Sequence, residues 1–212
     1  MRLLITGGNG FLSYHLKNSL KKYKQFECFF TSKQEFDLTD LNQAISCINK
    51  YNPEFIIHNA ALQGGIEANV SRPAEYFYQN ITLTANIFEA SKTSKVIKKI
   101  IVPMGGCSYP GNAISPIDES QMWNGFPQKE SAPFSLAKKM SIIASKAYFS
   151  QYKIKSSIII PGNMYGEYDN FRYKESHVIP SLIRKIYESK NSHIEVFGTG
   201  KPIRDFIYAG DV

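Results

Sequence analysis

The 212 residues are 43% hydrophobic and 20% charged, the composition of an ordinary soluble globular chain with one large domain, or one domain plus part of another. No stretch is long and apolar enough to span a bilayer, and the first apolar run passes straight into glycines, which excludes a signal peptide. The net charge of +7 comes from scattered lysines, densest at Lys17, Lys21, Lys22 and Lys24, which read as a solvated helix face and argue against a nucleic-acid partner.

Arg2 to Thr6 reads as a short buried strand. Gly7, Gly8 and Gly10 supply a tight turn, and Phe11, Leu12, His15 and Leu16 continue at helical spacing. Strand, glycine turn and helix form the phosphate-cradling start of a dinucleotide-binding fold, with Ser13 as the third small residue pressed against the strand. Phe26 to Thr31 is a second predicted strand. Thr39 or Asp40 caps a helix over Leu41 to Tyr51. Phe55 to His58 is a third strand, and the small Asn59, Ala60 and Ala61 at its end let a cofactor lie close.

A long helix follows over Ala74 to Ser91, with Phe77, Ile81, Leu83, Ile87 and Phe88 as its apolar positions. Lys98 to Pro103 is a fourth strand, Pro133 to Tyr152 a helix, and Ser156 to Ile160 a fifth strand broken by Pro161-Gly162-Asn163. Ser176 to Tyr187 reads as helix and Ile194 to Phe197 as a short strand. Strands alternating with helices imply a doubly wound parallel α/β sheet, a Rossmann arrangement, over residues 1–165. Residues 166–212 read as the start of a small C-terminal substrate-binding lobe. The chain stops where a new helix would begin, so a longer native protein is expected.

An acidic residue after the second strand of such folds binds the ribose 2′-hydroxyl and rejects a 2′-phosphate. Here Ser32 and Lys33 stand at that point, a hydroxyl and a cation that suit a 2′-phosphate. The reading is therefore NADP(H), with NAD as the alternative. Asp37 and Leu38 come next, positioned to approach the adenine or simply to cap and turn. Cys28, Cys47 and Cys107 are odd in number and lack metal-ligand spacing, which suits a reducing cytoplasm and predicts no metal.

The GGNGFL start, the Asn59-Ala60-Ala61 strand end, the stretch Gly105 to Pro110 and the Lys138 helix resemble the extended short-chain dehydrogenases/reductases. QGGIEAN at 63–69, CSYP at 107–110, APFSLAKKM at 132–140, GNMYGEYDNF at 162–171, SHVIP at 176–180 and the final GTGKPIRDFIYAGDV narrow that resemblance to GDP-L-fucose synthase-like nucleotide-sugar epimerases/reductases. The resemblance implies a GDP-4-keto-6-deoxy sugar substrate and hydride delivery from NADPH. It also implies a Ser/Thr-Tyr-x-x-x-Lys set for the proton, and a Cys and a His that exchange protons beside the ketone. It further implies polysaccharide biosynthesis and a homodimer built on the helices over 74–91 and 133–152. By the same resemblance Lys138 holds the nicotinamide ribose and Cys107 and His177 form the epimerisation pair. Gly64, Asn163, Lys185 and Arg204 then contact the sugar nucleotide, and Asn80 contacts the cofactor.

The chain departs from the pattern at two points. Phe134 occupies the tyrosine position and has no proton to give, and Gly105 occupies the hydroxyl position. Three accounts stay open: an engineered Tyr→Phe change, a natural member that binds without efficient catalysis, or another hydroxyl such as Ser108, Tyr109 or Ser135. The expected activity is an impaired NADP(H)-dependent epimerase/reductase. The alternatives are an epimerase or dehydratase with tightly bound nicotinamide and a non-catalytic nucleotide-sugar-binding homologue.

Overall fold

The computed structural model describes every residue except Phe197 and Pro202. Its central sheet comprises β1 (Arg2–Thr6), β2 (Glu27–Thr31), β3 (Phe55–His58), β4 (Lys99–Pro103) and β5 (Ser156–Ile159), all parallel, in the spatial order β2-β1-β3-β4-β5. The chain order reverses about β1, so the carboxyl ends of β1 and β3 frame the crevice in which open α/β sheets bind ligands. Thr6 and His58 are register partners at that point.

Five helices accompany this sheet: α1 (Phe11–Leu20), α2 (Leu41–Tyr51), α3 (Ile66–Ser71), α4 (Pro73–Ser91) and α5 (Ala132–Tyr152). Leu4, Ile56, Ile100 and Val102 of the sheet pack with Ile48 of α2 and Ile87 and Phe88 of α4 in one apolar core. The buried face of α4 runs Tyr76, Asn80, Leu83, Thr84, Ile87 and Phe88, a helical repeat that leaves the expected Phe77 on the outside, 47% exposed. None of the described helices is long and apolar enough to cross a membrane.

Asp40, rather than Thr39, caps α2. Its Oδ1 accepts from the backbone N–H of Asn42 at 2.8 Å and of Gln43 at 3.3 Å, whereas the Thr39 hydroxyl is engaged by Asp37 at 2.7 Å. At the helix's other end Asn52 takes the left-handed conformation, with φ 41°.

The smaller lobe holds β6 (Asn163–Tyr165), α6 (Val178–Glu188) and β7 (Phe206–Tyr208), with β6 and β7 paired in parallel. The strand expected over 194–197 is not found. Residues 194–196 are irregular, and Phe197 lies outside the described residues. The pairing edge of β6 is taken by Phe206 to Tyr208 instead. β6, which follows the Pro161-Gly162 break, thus belongs to the second sheet. The lobes are stitched through α1. His15, buried at 6% exposure, has its Nε2 3.0 Å from the Glu167 carbonyl, and Tyr14 stacks on Tyr168 at 3.7 Å.

Replacing Asp40 with alanine leaves two N–H groups of α2 uncapped. The expected loss is about 1 kcal/mol, or roughly 2–4 °C in Tm for a domain of this size, read by thermal denaturation with α2's hydrogen exchange accelerated.

Candidate active site

The glycine turn is shaped by what lies behind it. Gly7 has φ +65°, and a Cβ there would lie 2.8 Å from the Ala60 nitrogen. A Cβ on Gly8 would lie 2.8 Å from the Phe30 carbonyl carbon, and one on Gly10 3.1 Å from the Gly7 oxygen. Gly10 caps α1 without a side-chain bond, so the first N–H groups of the helix, from Phe11 and Leu12 onward, point outward with the positive end of the helix dipole. Ser13 is fully buried and accepts from Asn59 Nδ2 at 3.1 Å, the packing its small size predicts. A cavity of about 240 Å³ opens over the turn, lined by Gly8, Asn9, Gly10, Tyr14, Lys17 and Tyr168. A larger groove of about 610 Å³ runs along α1 and β2, past Lys21, Lys24 and Phe30, and none of the proton-transfer candidates lines it.

Beyond β2, Lys33 Nζ stands 3.5 Å from Asp37 Oδ2, on an exposed surface where such a pair is weak and easily exchanged for an anionic ligand. Burial raises the pKa of Asp37, but its bonds from Thr39 and the charge of Lys33 outweigh that and hold it below the usual range. Ser32 is half-buried beside them. Leu38 corrects the expectation of adenine contact: it is 3% exposed and belongs to the apolar core, because the turn after Asp37 points it inward.

At the carboxyl end of β3, Thr6 Oγ1 accepts the Ala60 N–H at 3.1 Å and lies 2.9 Å from His58 Nδ1. Ala61 follows, half-buried. His58 is fully buried. Burial, then the charge of Lys138, lower its pKa to about 3, so the ring is neutral. Its Nε2 and the Oδ1 of Asn59 are buried without hydrogen-bond partners among the described residues. Buried polar atoms left open beside an outward-facing helix start fit a polar, anionic dinucleotide.

Phe134 and Lys138 sit four residues apart on α5, both inside the protein at 8% and 2% exposure. Burial lowers the pKa of Lys138 to about 8, and the Cys107 thiol works in the opposite direction. A Cβ built on Gly105 would lie 3.1 Å from Cys107 Sγ and 3.7 Å from Phe134 Cε1. Gly105, Cys107 and Phe134 therefore converge on one spot, with Lys138 beside the thiol. Cys107 opens to solvent, yet protein crowds its other sides, and that desolvation pushes the thiol pKa up.

Two further expectations are corrected here. Ser108 is fully buried and donates to the Ser135 carbonyl at 3.2 Å, so its hydroxyl is a packing group and no stand-in acid. Asn80 is 1% exposed, and its amide is engaged by Leu62 N, Leu62 O and Tyr76 O at 3.1, 3.0 and 2.7 Å. It holds the loop after Ala61 in place, with its amide taken up by backbone groups.

The opposite wall comes from the loop at 64–65 and the smaller lobe. Gly64 has no room for a side chain, since its Cβ would overlap the Tyr76 hydroxyl. Tyr76 meets Phe134 edge-on, with ring centroids 6.4 Å apart. Gly65 donates to the Glu175 carbonyl at 2.9 Å, and Arg72 Nη2 meets Glu175 Oε1 at 3.3 Å. These bonds bring the segment carrying His177 to the crevice, where His177 caps α6. Burial lowers the His177 pKa, and the Asp169 carboxylate opposes that. Asn163 donates to the Asp205 carbonyl at 2.9 Å, which sets it beside the Arg204 segment. Arg204 is exposed, its guanidinium folded onto the Ile203 carbonyl at 2.9 Å. Lys185 bonds the Glu195 carbonyl at 2.8 Å on α6's far end. Sequence reasoning missed His58, Tyr76, Asp169 and the Arg72–Glu175 pair, since no local motif marks them.

Fold and site together define a Rossmann-type dinucleotide-binding protein with a small appended lobe. The chain belongs to the NAD dependent epimerase/dehydratase family, whose model matches residues 3–212. It is 32% identical to the GDP-L-fucose synthase of Dictyostelium discoideum over 99% of this chain and 67% of that protein. It is 31% identical to the GDP-L-colitose synthase of Yersinia pseudotuberculosis over 100% of this chain and 70% of that one. Among solved structures, a GDP-L-fucose synthetase from Naegleria fowleri bound to NADP superposes with a TM-score of 0.89 at 28% identity, covering 99% of this chain and 69% of that one. A GDP-D-glycero-L-gluco-heptose synthase from Campylobacter jejuni, in the presence of NADPH, gives 0.88 at 26% identity, covering 99% and 71%. The chain thus spans about two thirds of the length of these relatives.

The lowered pKa of Lys138 makes a stability statement. A lysine whose folded pKa falls from 10.5 to about 8 penalises the fold below the folded value, and the penalty fades as pH climbs between the two. Lys138→Met is therefore expected to raise the Tm of ligand-free protein near neutral pH, with the gain shrinking above about pH 8 and gone near 10.5, read by melting curves across that range.

Proposed function

We propose that the chain is an NADP(H)-dependent epimerase/reductase-type protein for a GDP-4-keto-6-deoxy sugar, with the proton delivery that accompanies hydride transfer removed. The observation that carries this is the convergence of Gly105, Cys107 and Phe134 beside buried Lys138. Glycines 7 and 10 and the N–H groups of Phe11 and Leu12 would hold the cofactor's pyrophosphate. Ser32 and Lys33 would hold a 2′-phosphate, Asp37 would border the adenosine end, and Asn59, Ala60 and Ala61 would lie under the dinucleotide. When bound, NADPH supplies a hydride for the sugar ketone.

The chain's own residues then divide the work. Lys138 binds the nicotinamide ribose and keeps a positive charge near the carbonyl oxygen. A phenol at 134 would give that oxygen its proton; the phenyl ring of Phe134 gives none. Cys107 and His177 flank the sugar from different elements, so one can take a proton from a carbon beside the ketone while the other returns one on the opposite face. Asn163 contacts the sugar, the Gly64 backbone borders it, and Arg204 and Lys185 attract its diphosphate, Arg204 by a guanidinium fork that matches phosphate oxygens. Exposed Phe77 and Tyr78 on α4 and Ile143 and Phe149 on α5 would seat a second copy in a homodimer.

Restoring the phenol tests the assignment. General acid–base assistance is worth about 10²–10⁴-fold, so Phe134→Tyr should raise NADPH oxidation with a GDP-4-keto-6-deoxyhexose by at least about a hundredfold. NADPH affinity should stay unchanged and exceed that for NADH. Equal rates in both forms would overturn the impaired-reductase reading, and an inert Phe134→Tyr protein that still binds nucleotide would make the chain a binding homologue.

A further inference from the structure

Lys17, Lys21, Lys22 and Lys24 read from the sequence as one solvated face, but the structure separates Lys17 from the rest. It lies in the last turn of α1, and its side chain reaches back toward the start of the helix. There it lines the cavity of about 240 Å³ over the glycine turn, together with Gly8, Asn9 and Gly10. The other three lysines do not line that cavity, and Lys21 donates instead to Asn18 Oδ1 at 3.2 Å.

The Lys17 ammonium stands 5.0 Å from the centre of the Phe30 ring. The ring attracts the cation without taking up its three N–H donors. The carboxylates of β2 and of the segment after it are engaged elsewhere. Glu27 meets Arg2 at 3.8 Å, Glu35 meets Lys50 at 2.7 Å and Asp37 meets Lys33 at 3.5 Å. Lys17 forms no ion pair among the described residues.

Phe30 marks where this ammonium sits in the fold. A Cβ on Gly8 would lie 2.8 Å from the Phe30 carbonyl carbon, and the Gly8 N–H donates to the Thr31 carbonyl at 2.7 Å. The glycine turn is thereby bonded to the carboxyl end of β2, and Lys17 stands at that junction. In a dinucleotide-binding fold the turn and the helix start take the pyrophosphate, while residues after the second strand read the ribose 2′ position. An ammonium on the Phe30 face is on the β2 side of the turn, which favours the 2′ position. Lys33, the cation expected there from the sequence, shares its charge with Asp37. Lys17 adds a charge that no carboxylate offsets.

We propose that Lys17 is a second contact for the 2′-phosphate of NADP(H): its ammonium, held on the face of Phe30, donates to the phosphate oxygens and favours NADP(H) over NAD(H). This rests on the cofactor assignment given above and deepens it.

The test is calorimetric binding of NADPH and NADH to the whole chain, so the missing phenol at 134 does not enter. Unsubstituted protein should bind NADPH more tightly than NADH. Lys17→Gln should weaken NADPH binding by about tenfold, the size of one lost charge-assisted hydrogen bond, and leave NADH binding unchanged. Lys17→Arg should keep most of the NADPH affinity, and Lys21→Gln, one turn further along, should alter neither. Lys17 is exposed, so the fold should tolerate these changes, with matching melting curves as the check. An equal loss for both nucleotides would put Lys17 on the pyrophosphate and overturn the proposal. Unchanged affinity for both, in a protein that still prefers NADPH, would make it an ordinary solvated lysine and overturn it as well. Failure of the cofactor assignment looks different: the unsubstituted protein would itself bind NADPH no better than NADH, and the proposal would fall with it.

Discussion

Thr6 carries a hydroxyl on which both sides of the crevice meet. It takes the Ala60 N–H and touches His58, and the glycine turn that follows it presses Gly7 against the same Ala60 backbone. Two strands that are neighbours in space but far apart in sequence are thereby locked at their carboxyl ends, with no side chain between the turn and the strand tip. The outward N–H groups of α1 depend on this lock for their direction. So does the open floor formed by Asn59, Ala60 and Ala61. A side chain at position 7 would both clash and force φ out of its range, so the phosphate cradle and the sheet edge stand or fall together.

Charge in the crevice follows the same logic of exclusion. Lys138 is buried with no carboxylate beside it among the described residues, and the nearest imidazole, His58, is held neutral. A cation so placed is uncomfortable in the ligand-free fold and favours company that is polar or negative. On the other wall Glu175 and Glu67 are tied up in ion pairs with Arg72, Arg172 and Lys174. Under the proposed function, the cofactor side would thus attract an anionic ligand, and Cys107 and His177 would offer a thiol and an imidazole to the sugar.

Much of this could be read before any coordinates, wherever the cause is local. The helix over Leu41 to Tyr51 and the strand over Phe55 to His58 were set by apolar period and by turn residues, and the structure keeps those limits. Ser13 against the strand followed from the spacing of the glycines. What stayed hidden depends on partners far along the chain. Tyr76 replaces Phe77 on the buried face of α4 because Asn80, Leu83 and Ile87 fix the helix's rotation, and several faces of that helix are apolar enough to compete. No strand forms over 194–196; β6 pairs instead with β7, a segment not expected from the sequence to be a strand. Leu38, Ser108 and Asn80 looked like ligand contacts by position, but each is turned inward or already engaged by neighbouring backbone. His58 carried no mark in the sequence, since a buried histidine at the end of a strand becomes informative only when Thr6 and Lys138 are seen around it.

The space over Gly105 bears on the history of the site. A Cβ built there would lie 3.1 Å from the Cys107 sulfur and 3.7 Å from the edge of Phe134. The backbone that would carry the missing hydroxyl is already in place, and the ring that lacks its phenol oxygen already occupies its slot. Glycine and serine codons can differ by a single base, as can those of phenylalanine and tyrosine. Two single-base changes would therefore suffice to return both hydroxyls, with Cys107 giving by a few tenths of an ångström to admit the new Cβ.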